Sequence, residues 1–240
     1  MMQHRSRAIV LRRTAYGDAD WIVHFFCRER GRLAGMAKSA RSSRKRFAGA
    51  LEPGSVVDVR FSERRGSQLV RLEEARVAFP IIGILRNLER IEEVSNTLQI
   101  ALAFLQEREA NPAKFDLLVD RIMRLGESDP DPFEGAAFRL KWLALSGYAP
   151  VLGVCAACGR TAGGNPAMWR FNFDRGGFIC TGCGFGEPDA LRLSDAAMNG
   201  LISLANERVP EDRSHSTAAG AVLNGYIDHV LGRPLAKAAF

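Results

Sequence analysis

Over the first eighty positions, apolar and polar residues alternate in short runs that break at Gly, Asp and Ser. Arg7–Arg12 (RAIVLR), Trp21–Phe26 (WIVHFF), Arg32–Lys38 (RLAGMAK), Val56–Phe61 (VVDVRF) and Leu69–Leu72 (LVRL) each read as a strand. The breaks between them include Tyr16-Gly17-Asp18 and Arg65-Gly66-Ser67. In the third run, Leu33, Gly35 and Ala37 fall on one face. Five short strands in about seventy-five residues predict a small closed or partly open β-barrel.

Near Pro80 the period changes. From Leu88 the apolar positions Ile91, Val94, Leu98, Leu102 and Leu105 recur at helical spacing. Asn111-Pro112 reads as an N-cap followed by proline at the first helical position, with Gly126 as a stop. Asp131, with Glu134 three residues on, caps a helix through Phe138, Leu140, Trp142 and Leu143 to Gly147. Helical spacing resumes at Ser194 (Met198, Leu201, Ile202, Leu204) and after Ser214 (Val222, Leu223, Tyr226, Ile227, Val230). These stripes read as core, and a groove for a partner peptide is the alternative. The expected organisation is α+β multidomain: a barrel over 1–80, a helical domain over 81–150 plus 191–240, and an inserted module rich in Gly and Cys over 151–190.

Charge changes this picture from a fold to a surface. The net charge of +6 is unevenly spread, since residues 1–80 carry 17 Lys+Arg against 8 Asp+Glu and residues 81–240 carry 16 against 19. A basic N-terminal third points to nucleic acid. The rival partner is an anionic membrane, but the first eighty residues hold no basic amphipathic helix. The longest apolar runs, near Ile81–Leu85 and Ile100–Leu105, are too short to span a bilayer. The N-terminus lacks a secretory apolar core, so a reducing cytoplasm is the expected compartment.

The positive charge peaks between the third and fourth strands. Lys38, Arg41, Arg44, Lys45 and Arg46 follow one another with no acid among them, and Ser39, Ser42 and Ser43 lie between. Phe47 and Leu51 return the chain to a core before the turn signal Glu52-Pro53-Gly54. Such a loop suits a phosphate backbone, because Lys and Arg gain affinity by displacing condensed counterions. Arg12, Arg13, Arg64 and Arg65 are the further candidates for phosphate contact. Phe25, Phe26 and Phe61 are candidates for base stacking, against their reading as barrel core.

Cys155-Ala156-Ala157-Cys158-Gly159 and Cys180-Thr181-Gly182-Cys183-Gly184 form two C-x2-C pairs twenty-one residues apart. That is the spacing of a four-thiolate zinc site, with Cys155, Cys158, Cys180 and Cys183 as ligands of one structural zinc per chain. The glycine after each pair readily takes the positive φ that such a turn needs. Disulfides are the alternative, disfavoured in a cytosolic chain. Catalysis finds little support. A closed thiolate shell leaves no open coordination position, and neither a Walker loop nor the H-x-E signature of zinc deaminases is present. Cys27 reads as a buried strand residue, the four histidines show no metal spacing with a carboxylate, and Asp18 and Asp20 read as capping or solvated residues.

Together these residues resemble the RecO family of bacterial recombination mediators. The likeness runs through Ala8–Thr14, Tyr16–Asp20, Gly31-Arg32-Leu33, Ala37–Arg41, Arg46–Pro53 and Leu145–Pro150, and the cysteine pairs fall where zinc-bearing members place theirs. The resemblance implies an N-terminal OB-fold, a helical body and a zinc module. It implies binding of single- and double-stranded DNA, annealing of complementary strands, partnership with RecR, and help in loading RecA onto DNA coated by single-strand-binding protein. For some members it implies contact with that protein's C-terminal tail. Family DNA contacts map onto Lys38 and Arg41. Ser39 stands where glycine is common and Gly54 where an aromatic is common. The rival functions are a zinc-ribbon transcription or RNA-binding factor, and a nuclease, which would need clustered carboxylates.

Overall fold

The computed structural model describes residues 2–43, 45–64, 66–163, 165–184, 190–210 and 212–235. It divides into two compact units, one ending at Asp129 and one spanning Pro130–Leu235.

The first unit contains five strands, β1 (Met2–Tyr16), β2 (Asp20–Cys27), β3 (Gly31–Ala37), β4 (Val56–Glu63) and β5 (Val70–Phe79). They close into a barrel of order β1-β2-β3-β5-β4. β1 pairs with both β2 and β4, and the one parallel pair is β3 with β5. This is the OB arrangement that the strand spacing left open. β1 is much longer than the apolar run suggested, because its polar first half pairs with β4 and its second half with β2. A register shift between Val10 and Arg12 marks the change of partner.

Alternation decides which side chains fill the barrel. Ala8, Val10, Val23, Phe25, Leu33, Val57, Val59, Phe61, Val70 and Leu72 form one buried cluster, and Phe25 meets Phe61 edge-on at 5.8 Å between ring centres. Ile9 and Phe26 are paired across β1 and β2 and are also buried. Their face is covered by helices α1 (Leu88–Phe104) and α2 (Pro112–Glu127), with Phe115 of α2 against Phe26 at 5.6 Å. The helical segment expected to stand apart from the barrel is therefore split: α1 and α2 belong to the barrel's unit. On α1 the buried face is Val94, Leu98, Ala101 and Leu105, while Ile91 and Leu102 are half-buried.

The second unit holds α3 (Pro132–Leu145), the cysteine segment, α5 (Asp195–Ala205) and α6 (Arg213–Leu231). The cysteine segment carries β6 (Trp169–Asn172), β7 (Gly177–Cys180), a four-residue turn of helix α4 (Thr181–Gly184) and β8 (Ala190–Arg192), in sheet order β7-β6-β8. α6 packs on both α3 and α5, so the segment is inserted between parts of one helical bundle. Phe171 and Phe173 carry it onto Tyr226 of α6, at 5.5 and 6.4 Å between ring centres.

The expected caps are in place. Asn111 accepts from Lys114 N–H at 2.9 Å, Asp131 from Phe133 and Glu134 N–H at 2.9 and 3.1 Å, and Ser194 from Ala197 N–H at 3.1 Å. The last helix starts just before Ser214, at Arg213, because Asp212 is its cap and the Asp212 carboxylate accepts from the Ser214 N–H at 2.8 Å. Among the described residues, no helix is long and apolar enough to cross a membrane.

Candidate nucleic-acid interface and metal centre

The connection from β3 to β4, residues 38–55, lies across one end of the barrel. Ala40, Phe47, Ala50 and Leu51 join the same apolar cluster as Phe25 and Phe61, which is why the chain returns to the core at Phe47 and Leu51. Backbone bonds fix the loop on both sides. Ser39 N–H donates to the Asp20 carboxylate at 2.7 Å, Arg41 N–H to the Ala19 carbonyl at 3.1 Å, and Ala75 N–H to the Arg46 carbonyl at 2.9 Å. The Arg46 guanidinium donates to the Lys38 carbonyl at 2.7 Å, closing the charged stretch on itself. Ser39 has φ +54°, so the left-handed turn favoured by glycine is kept with serine in its place. Gly54 has φ +87°, and a Cβ there would approach Val94 of α1. Asp18 and Asp20 thus serve the loop: Asp20 through its carboxylate, and Asp18 through a carbonyl that accepts from Arg41 at 3.1 Å.

Lys38, Arg41, Lys45 and Arg46 are exposed, and none forms an ion pair among the described residues. Arg44 and Arg65 lie outside the described residues. Elsewhere on the first unit many arginines are neutralised. Arg7 meets Asp58 at 2.9 Å, Arg60 meets Glu73 and Glu74 at 3.1 and 3.3 Å, Arg76 meets Glu74 at 2.7 Å, and Arg28 meets Asp116 at 2.9 Å. The hydrogen bond and charge of Arg28 hold the Asp116 carboxyl below its ordinary range. An exposed ion pair contributes little but still shares its cation with a carboxylate, whereas Lys38, Arg41, Lys45 and Arg46 have no carboxylate partner among the described residues.

The remaining candidates divide. Arg13 joins the loop: its guanidinium pairs with Glu52 and lies over the Trp21 ring, 4.7 Å from the ring centre, with Arg41 at 5.7 Å from the same centre. Arg13, Trp21, Arg41, Ser43, Phe47 and Glu52 are among the residues enclosing a hollow of about 270 Å³. Arg12 is exposed beside His24, whose pKa is lowered by burial and then by Arg32 and Arg12. Arg64 is remote from the loop. Glu63, just before it, is bound by Arg108 at 3.1 Å, and the Arg108 N–H bonds to Arg32 at the start of β3, whereas the loop leaves from the end of β3. Phe25, Phe26 and Phe61 are at most 1% exposed and are core, not faces for bases. Nothing in the sequence separates Trp21 from the inward row Val23, Phe25, Cys27 that it continues, and only its place at the barrel's end makes it half-exposed.

The second constellation is metal-like. The sulfurs of Cys155, Cys158, Cys180 and Cys183 lie within 4.8 Å of one another, with Cys158 to Cys180 at 3.8 Å. A tetrahedron of thiolates about 2.3 Å from a zinc ion has edges of about 3.8 Å. No disulfide joins them. Gly159 has φ +72° as the turn required, whereas Gly184 ends α4 without a positive φ. Burial pushes the Cys155 thiol up, but N–H donation from Cys180, Cys158 and Ala157 outweighs it and brings the group down to about 6. Cys183 is pushed up to about 12, first by hydrogen bonds with Cys158 and Cys180 and then by burial. Four sulfurs this close cannot all be anions on their own, and a bound cation removes the conflict. The four-sulfur set fits a closed metal site with no position left for a substrate. Cys27 is a different case: it is fully buried in β2, and burial pushes its thiol up to about 12.

Comparison with known proteins agrees with this architecture. Residues 1–81 match the family described as Recombination protein O N terminal, and residues 86–239 match Recombination protein O C terminal. The DNA repair protein RecO of Anaeromyxobacter dehalogenans (strain 2CP-C) is 33% identical over 238 residues, covering 97% of this chain and 93% of its own. That of Myxococcus xanthus (strain DK1622) is 32% identical over 241 residues, covering 100% and 97%. That of Syntrophus aciditrophicus (strain SB) is 31% identical over 242 residues, covering 97% and 92%. With a barrel, a helical bundle and a cysteine cluster in that order, and with both halves matched, the chain belongs to the recombination protein O (RecO) family.

Proposed function

We propose that this protein is a non-enzymatic, DNA-binding recombination mediator of DNA repair. In this reading it binds single- and double-stranded DNA through the 38–46 loop, anneals complementary strands, and acts with RecR to help load RecA onto DNA coated by single-strand-binding protein. Its place is the cytoplasm, at the nucleoid. The observation that carries the reading is the set of exposed cations Lys38, Arg41, Lys45 and Arg46, without a carboxylate partner among the described residues, on a loop anchored to the barrel in a chain of the RecO family. Anchoring matters because a pre-ordered cationic surface loses little entropy on meeting a phosphate chain. Contacts of that kind hold DNA without reading its sequence, which suits a mediator acting on any broken region. Cys155, Cys158, Cys180 and Cys183 would hold one structural zinc, which supplies folding energy to a segment with a small core of its own.

The test is annealing of complementary strands precoated with single-strand-binding protein, with and without RecR. Annealing by the parent chain, lost when Lys38, Arg41 and Arg46 are replaced by Glu, is the expected result. Coated strands that remain apart under both conditions would refute the mediator role.

A further inference from the structure

We infer that the hollow between Trp21 and the 38–55 loop receives one unpaired nucleobase, with the Trp21 indole as its stacking face. This rests on the DNA-binding reading above and adds to it a preference for single strands. Trp21 sits half-buried at the end of the barrel that the loop covers, with guanidinium groups 4.7 Å (Arg13) and 5.7 Å (Arg41) from its ring centre. The two are held differently. Arg13 is tied to the Glu52 carboxylate, whereas Arg41 is exposed and held by a bond to the uncharged Asp18 carbonyl at 3.1 Å. A phosphate offers Arg41 a charge-assisted, two-pronged bond that is stronger than the bond to a neutral carbonyl. Once Arg41 turns to a phosphate, its place over the indole is open to a planar base, and every base has a face that can stack. The hollow is about 270 Å³, which suits a single base rather than a pair, and Ser43 and Glu52 border it with polar atoms for the base edge. Phe25, Phe26 and Phe61 are withdrawn into the core and Phe47, which borders the hollow, is 2% exposed, so of the aromatic side chains lining the hollow Trp21 is the one with an accessible ring.

The molecule carries its own reporter. Of its three tryptophans, Trp142 and Trp169 are 0% and 4% exposed, so a change in emission on binding reports Trp21. The full-length protein is titrated with oligo-dT, with an abasic strand of equal length, and with a duplex. Quenching by oligo-dT, with little change on binding the abasic strand or the duplex, is expected. Trp21→Ala should weaken oligo-dT binding about tenfold, and Trp21→Phe should restore most of it. The dependence on salt should stay as in the parent, because stacking releases no counterions. Equal quenching by the abasic strand, or unchanged oligo-dT affinity in Trp21→Ala, would overturn the base pocket. If Trp21→Ala does not fold, the parent titrations decide alone. Binding of all three ligands with constant emission would remove the pocket and leave the DNA-binding reading intact, whereas no binding by any of them would remove both.

Discussion

Removing Lys38 and Lys45 tests the electrostatic argument most directly, because neither side chain has a hydrogen bond or ion pair among the described residues and their loss leaves the loop's anchors intact. Counterion release makes the logarithm of single-strand affinity fall with the logarithm of salt by about 0.7 per neutralised phosphate. Lys38, Arg41, Lys45 and Arg46 together then contribute a slope of about −2.8, or roughly a 50-fold loss of affinity between 50 and 200 mM salt. The Lys38→Ala, Lys45→Ala variant should flatten the slope by about 1.4 and reduce the loss caused by these four positions to about sevenfold. Other cations add equally to parent and variant, so the difference in slope is the measured quantity. Fluorescence anisotropy with a labelled oligonucleotide at several salt concentrations gives it. The control is Arg7→Ala with Asp58→Ala, which deletes a matched pair on the barrel and should leave the slope unchanged. If the loop variant keeps the parent slope, or the control loses as much as the loop variant, the phosphates do not lie on this loop.

Two further outcomes are expected. Replacing Cys158 by Ser should lower the metal content below one per chain and hasten proteolysis within 151–184, since metal binding of this kind supplies on the order of 10 kcal/mol of folding energy; a metal-free, reduced protein that resists protease like the parent would count against the site. Cys27 should resist alkylation at pH 8.5 in the native protein, because its thiol is pushed up to about 12 from an ordinary value near 9. The sign follows from the raised folded value: the contribution is complete below pH 9 and is lost between 9 and 12, by at most about 1.4 kcal/mol per pH unit. Peptide mapping and denaturant melts across that range measure both, and ready labelling at pH 8.5 would show the barrel to be more open than its packing implies.

Much of this is legible in the sequence, and the reason is local chemistry. Asn111, Asp131 and Ser194 cap their helices because a short polar side chain reaches its own backbone whatever the surroundings. Within each pair the two cysteines sit together because a C-x2-C turn aims both sulfurs the same way, whereas the two pairs meet through backbone bonds such as Ala156 N–H to the Phe178 carbonyl at 2.7 Å. Phe47 and Leu51 fall in the core as the return of apolar residues indicated. By contrast, Phe25 and Phe61, Arg13 and Arg64 look interchangeable in one dimension with side chains of quite different fate. Two of these are core, one is matched to Glu52 beside an indole, and one stands at the far end of β3 from the loop.

Sequence alone carried most of the strands and helices, the caps at Asn111, Asp131 and Ser194, the C-x2-C spacing and the concentration of positive charge between β3 and β4, since each depends on residues a few positions apart. Closing the barrel decided the rest. It set β3 beside β5, brought Arg13 from β1 and Trp21 from β2 under the 38–55 loop, and matched Arg7, Arg28 and Arg60 to carboxylates while leaving Lys38, Arg41, Lys45 and Arg46 without one among the described residues. Charge pairing and ring exposure depend on neighbours distant in the chain, and only the packed strands bring those neighbours together.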